Sequence, residues 1–313
     1  MQERKIIKFG NSSYVVTLPL DWIKEHNLDK NASVFTKTNK NSILISTQSP
    51  EQTEKNATIV IDDIPFKLFN KKLMSYYLKN CKFIRIEGKS IIERVEEIKV
   101  LVNKLSSLEI VEVSTNYIIL KNLLNPRELV LDELLHEIIT LELSLFDELS
   151  KKPANTTMQI VTTLDTNINK LSFLAYKCLN YNIESWDIPH VSKNAIHYWR
   201  IISSFEAIGD IMKRIMRYLT QEEGQETIAH IKTIADELKQ YYIFTTNLLK
   251  ENINIENNLP LYLDKKQSLL RQIEQFRTTH MKNANIMLVT LQLFKDIIGQ
   301  LDTITISIID IKS

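Results

Sequence analysis

Phe205-Glu206-Ala207-Ile208-Gly209-Asp210 lies inside a stretch, from about Ile196 to Leu219, where apolar residues recur at Ile202, Phe205, Ile208, Met212, Ile215 and Leu219. Steps of three and four draw one buried face on a helix. Gly209 interrupts that helix, where glycine costs about 1 kcal/mol relative to alanine. The interruption predicts a second helix packed close at that point. Glu206 and Asp210 are i and i+4, so their carboxylates stack on the edge of the buried face and repel. Compensation is expected from a metal ion, or from Lys213 and Arg214 one turn on.

The same punctuation returns 90 residues later. Gly299 follows Ile297 and Ile298, and Asp296 and Gln300 take the places of Glu206 and Asp210. A period of this size predicts a duplicated helical unit. Around these two helices the second half reads as two tandem three-helix bundles, 126–222 and 223–313. Asn125-Pro126 is expected to start the first helix, with proline at its first position. That helix carries Glu128, Asp132, Glu133, Glu137, Glu142, Asp147 and Glu148, a charge run read as a solvated face. The apolar tail Ile304–Ile309 is too short to span a bilayer and is expected to pack within its bundle.

The first 47 residues have a different texture. Lys5–Phe9 and Tyr14–Leu18 read as strands about the turn Gly10-Asn11-Ser12-Ser13. Pro19 opens a short helix with Trp22 and Ile23. Ala32–Lys37 and Ser42–Ser46 form a second hairpin. Such a β-β-α-β-β unit buries little alone, so an obligate homodimer is expected. Its charged residues sum to +3 per copy, a source of salt-sensitive affinity for phosphates. Between the ends, 58–125 reads as β-α-β-α-β-β, a small α/β sheet with helices on one face. Leu68, Leu73 and Tyr77 are expected to face inward, and Ser90 with Glu93 to form a capping box.

Composition limits the alternatives. Two cysteines, Cys81 and Cys178, suit a reducing interior and offer neither a disulfide framework nor a zinc ligand set. With no signal-like start and no run of eighteen uncharged apolar residues, a cytoplasmic protein with no membrane span is expected. The chain has no phosphate-binding loop, no Gly-x-Ser-x-Gly and no cysteine–histidine pattern. Carboxylate-bridged di-iron bundles use Glu-x-x-His on facing helices, and no suitable pair is read here. The chain is therefore expected not to be an enzyme.

Lys8-Phe9-Gly10-Asn11-Ser12, Val15-Val16-Thr17-Leu18-Pro19 and the helix with Trp22 and Leu28 resemble the AbrB/MazE/SpoVT swapped-hairpin domain. That resemblance implies two chains with interleaved hairpins and a basic surface for DNA, here Arg4, Lys5, Lys8, Asn11, Ser12 and Lys24. Family members often carry arginines on this loop and helix, where this chain has Ser12-Ser13 and Lys24. The helical half resembles the PhoU family of phosphate-uptake regulators. Glu206-Ala207-Ile208-Gly209-Asp210 matches its Glu-x-x-x-Asp, and Asp165 with Asn169 its Asp-x-x-x-Asp. Asp264 with Ser268, and Asp296 with Gln300, are the second-repeat counterparts. The order of domains is one known among archaeal regulators of this kind.

The resemblance implies a divalent or ferric ion (Fe, Zn, Mg or Ca) held by Asp165, Asn169, Glu206 and Asp210 in the first bundle, with a thinner set, Asp264 and Asp296, in the second. The expectation is an α+β multidomain regulator of phosphate uptake, dimeric and DNA-binding. The alternative is a scaffold that modulates a phosphate-transporter component by protein contact without touching DNA.

Overall fold

The computed structural model describes residues 3–39, 42–47, 54–151, 154–185, 193–220, 225–250, 253–279 and 285–313. They divide into two units, 1–53 and 54–313. The tip of the expected second hairpin at Lys40-Asn41, most of the stretch between the first 47 residues and the α/β segment, and the expected boundary between the two bundles at 222–223 lie outside the described residues.

In the first unit, β1 (Ile7–Phe9) pairs antiparallel with β2 (Ser13–Val15), placing Lys8 opposite Tyr14. Gly10 turns the chain at a φ of +69°, a conformation glycine adopts without steric cost. Pro19 precedes α1 (Leu20–Glu25), which ends at Asn27 with a φ of +51°, a left-handed stop that asparagine tolerates. β3 (Phe35–Asn39) and β4 (Ser42–Ser46) form a separate two-stranded ladder. The element order is the one expected. Among the described residues of this unit none is buried, and Ile6, Phe9, Tyr14, Leu20 and Ile43 are each more than 60% exposed.

The second unit opens with a four-stranded sheet. Its elements are β5 (Asn56–Val60), α2 (Phe66–Leu78), β6 (Phe83–Glu87), α3 (Ile91–Val102), β7 (Leu108–Val113) and β8 (Tyr117–Asn122). The spatial order is β5-β6-β8-β7, with β5 and β6 parallel and the other pairs antiparallel. Strict alternation on β6 and β8 buries Ile84, Ile86, Ile118 and Leu120 on one face. Phe69, Leu73 and Tyr77 of α2 pack into that core. Leu68 is 43% exposed, so the inward set is shifted by one residue at its start.

The expected capping box is absent. Ser90 makes no side-chain cap within α3; its N–H and hydroxyl both donate to Asp62 Oδ1 at 3.1 Å. The capping carboxylate arrives from β5's end, 28 residues upstream, and the backbone N–H groups of Lys89 and Ser90 hold it below the usual carboxylate range.

Six helices follow among the described residues: α4 (Leu131–Leu149), α5 (Asn155–Ser185), α6 (Ala195–Leu219), α7 (Gln225–Asn247), α8 (Ile255–Thr279) and α9 (Asn285–Lys312). Pro126 does not start α4. It begins a short 3-10 turn, Pro126–Glu128, with the Asn125 side chain accepting from Arg127 N–H. Leu129 packs against the helical core and its carbonyl accepts the Cys178 thiol, so the chain is extended there before α4 starts. At the start of α8 Asn254 Oδ1 accepts from Asn257 N–H as a cap, and Pro260 is accommodated inside the helix.

All six residues assigned to the buried stripe of α6 are buried, but so are Tyr198, Ile201, Ile211 and Met216. α6 is wrapped on two sides because it packs against α4 and α5 and, most extensively, against α9. One continuous hydrophobic cluster runs from Leu131 to Ile308. The described residues of the two helix triplets therefore share a core. Ile304 and Ile308 are buried in it. The charge run on α4 is not wholly solvated: Glu142 is fully buried and Glu148 nearly so. Cys81 and Cys178 are free and buried.

Candidate functional site

The α5–α6 contact is an antiparallel register fixed by three pairs. Asp165 meets Lys213, Ile168 meets Gly209, and Tyr176 stacks against Trp199 with ring centroids 4.4 Å apart. A Cβ on Gly209 would lie 3.5 Å from Ile168. The glycine thus marks the close helix approach read from the sequence, with room for a methyl group and little more.

This register brings Asp165, Glu206 and Asp210 together. Asp165 is 3% exposed and its Oδ2 accepts from Lys213 Nζ at 2.6 Å. Burial, then the charges of Asp210 and Asp165, raises Glu206 above the usual carboxylate range. Burial, then Asp165, raises Asp210, which lies at the exposed rim. Asn169, one turn beyond Asp165, is half-buried and stands level with Gly209 in the same register.

Sequence reasoning missed the aromatic end of the site. Burial and the nearby Glu206 push the Tyr176 hydroxyl up to about 12, with Ser203 as its hydrogen-bonding neighbour. Ser203 is i−3 from Glu206 and so shares its face, which was the available signal. Three carboxylates and one ammonium leave the cluster net negative, with Lys213 in the place of a compensating cation. Among the described residues no group of three or more His, Cys, Asp or Glu side chains is arranged to hold a metal ion.

The second-triplet residues do not converge. Tyr262 and Lys266 of α8 meet Asp302, and Glu274 meets Lys295. Asp264 is therefore level with Asp302, six residues or about 9 Å along the axis from Asp296. Both Asp264 and Asp296 are exposed, and Asp296 accepts from Gln292 on its own helix. Gly299 is exposed with nothing within 4 Å of a Cβ, so the close approach seen at Gly209 has no counterpart there.

One Glu-x-x-His does occur on a helix, Glu133-Leu134-Leu135-His136 of α4, contrary to the reading above; both polar side chains are exposed. His136 borders a cleft of roughly 1450 Å³ lined also by Leu135, Ile139, Leu143, Leu259 and Ile308. None of the candidate residues lines that cleft.

In the N-terminal unit Arg4, Lys5, Lys8, Asn11, Ser12 and Lys24 are all exposed. Arg4 donates to Thr17 Oγ1 at 2.9 Å. Lys8 sits on the ladder, Asn11 and Ser12 at the turn, and Lys24 on α1. No helix among the described residues is long and apolar enough to cross a membrane. The chain matches no family model, and no curated protein or solved structure is significantly similar to it.

Proposed function

We propose that the chain is a dimeric regulator that contacts DNA through its N-terminal hairpin unit and carries a PhoU-like helical half that senses phosphate status. One observation carries this reading: the hairpin unit has apolar side chains in number and no buried residue among those described. Two-stranded hairpins are marginal in water, and exposed apolar patches of this kind mark interaction surfaces. A second copy interleaving its hairpins would cover Ile6, Phe9, Tyr14 and Leu20 and double the basic charge offered to phosphates.

The helical half acts by binding and coupling rather than by catalysis. Lys213 compensates one of its α5–α6 carboxylates, Asp165, and a divalent or ferric cation would enter by displacing that ammonium. The scaffold alternative, regulation of a transporter component without DNA contact, draws on Ser12 and Ser13 at the loop tip, since arginine forks are the commonest base readers. A gel shift against duplex DNA at several salt concentrations separates the two. Salt-dependent binding lost in Lys5→Glu/Lys8→Glu supports the first; no binding to any duplex at low salt leaves the scaffold.

A further inference from the structure

The two edges of the four-stranded sheet differ. β7 is guarded: its ladder with β8 breaks register between Ile110 and Glu112, and Glu109 and Glu112 stand along it. Bulges and charges of this kind blunt an edge. β5, at the other edge, reads Asn56-Ala57-Thr58-Ile59-Val60. It has no charge, no proline and an unbroken register with β6.

The direction of its free groups follows from the ladder. Lys55 carbonyl accepts from Lys82 N–H, and Ile61 N–H donates to Glu87 carbonyl at 2.9 Å. Odd-numbered residues thus bond toward β6, and the N–H and C=O of Asn56, Thr58 and Val60 point away from the sheet. Those three residues are exposed, Val60 at 56%. Among the described residues the strand offers the outward main chain of three residues, with apolar Ile59 on its buried side.

We infer that β5 pairs antiparallel with β5 of a second copy about a twofold axis at Thr58, joining the two sheets into one of eight strands. The inference rests on the hairpin dimer proposed above for the nearness of the second copy. β5 starts nine residues after β4 ends, a tether of at most about 35 Å, which holds the two strands at high effective concentration. The segment is self-complementary: Thr58 meets Thr58 of the second copy, a favourable cross-strand pair, and Asn56 meets Val60. The three outward residues of each strand would exchange about six main-chain hydrogen bonds. An edge that reads as unguarded in one chain is then interior in the assembly.

Cysteine cross-linking of the full chain tests it, because both native cysteines are buried. Opposed residues of such a pair lie about 5.5 Å apart between Cα atoms, inside the disulfide range. Thr58→Cys should therefore give a covalent dimer under mild oxidation, at least tenfold faster than Asn56→Cys, whose two copies would lie about 13 Å apart. Equal rates for the two variants, or no cross-link while light scattering shows a dimer, would overturn the β5 pairing and leave the hairpin dimer standing. A monomer by light scattering would overturn both.

Discussion

Lys213 reaches across from α6 to place its ammonium 2.6 Å from the nearly buried carboxylate of Asp165 on α5. The two carboxylates on Lys213's own helix, Glu206 and Asp210, gather around the same point. Removing one member of a largely buried pair strands the other charge. Lys213→Met should destabilise the chain by about 2 kcal/mol, below the range for fully buried pairs because Lys213 is a quarter exposed. Lys213→Met/Asp165→Asn should recover part of that loss in urea denaturation. A loss in the double variant equal to the sum of the losses in Lys213→Met and Asp165→Asn would mean the pair contributes no coupling.

Cation binding should depend on the same ammonium. Isothermal titration with Zn²⁺ or Mn²⁺ should show Lys213→Ala binding at least tenfold more tightly than the unaltered chain, because hard oxygen donors are then left unpaired. Asp210→Ala added to Lys213→Ala should abolish the gain. Unchanged affinity across the three proteins would remove these residues from any cation site.

The glycines should respond in opposite directions. Gly209→Ala places a methyl group in ordinary contact with Ile168, and Gly299→Ala places one in open space. Each should be neutral or stabilise by up to about 1 kcal/mol. Gly88→Ala would set a Cβ 2.5 Å from Asp62 Oδ1, the carboxylate that caps α3, and should cost about 1–3 kcal/mol. Thermal denaturation of the three variants gives the signs.

Lys177 couples the sheet to the helices and should set a pH dependence. Its ammonium is fully buried, donates to Asn122 Oδ1 at 3.1 Å and lies 4.1 Å from the Tyr77 ring centroid. Burial pushes it down to about 8 from 10.5. Between those values the unfolded chain holds a proton that the folded chain has lost, so its contribution rises with pH across pH 8–10.5. Below pH 8 the group imposes a penalty of about 3 kcal/mol. The stability difference, unaltered chain minus Lys177→Met, should therefore climb from pH 8 to 10.5. Taking the difference cancels the opposing effect of Cys81 and Cys178, both raised by burial. A flat difference would contradict the buried charge.

Glu142 should act in the acidic range. It is fully buried beside Tyr242, and neither group makes a well-formed hydrogen bond. Burial raises the carboxyl well above its usual range. A raised carboxyl contributes stability below pH 4.5 that is lost as pH climbs toward its folded value. Glu142→Gln should remove that decline and stabilise the chain at pH 7 by about 1–3 kcal/mol. Guanidinium melts at pH 4 and pH 7 measure both effects.

Periodicity made the helices legible, and the spacing of Glu206 and Asp210 made two of the three carboxylates of the cluster so. Asp165 came from the resemblance rather than from any local signal. What stayed hidden was tertiary. Lys213 could be seen as a compensating cation, but not that it would bridge to Asp165, because that depends on how α5 and α6 slide past one another. Glu142 read as surface because α7, which supplies Tyr242, lies about a hundred residues away. Gly299 repeated the letters of Gly209 without the close approach, since a glycine's reason lies in its neighbour. Asp62 supplied the cap expected of Ser90 because β5's end happens to meet the start of α3.

The most direct test of the account is the solution mass of the full chain together with that of Phe9→Lys/Leu20→Lys, measured by light scattering across a hundredfold range of concentration. The account predicts twice the 36.5 kDa chain mass for the unaltered protein and a shift toward one chain mass in the variant. A single chain mass for the unaltered protein at every concentration would contradict it.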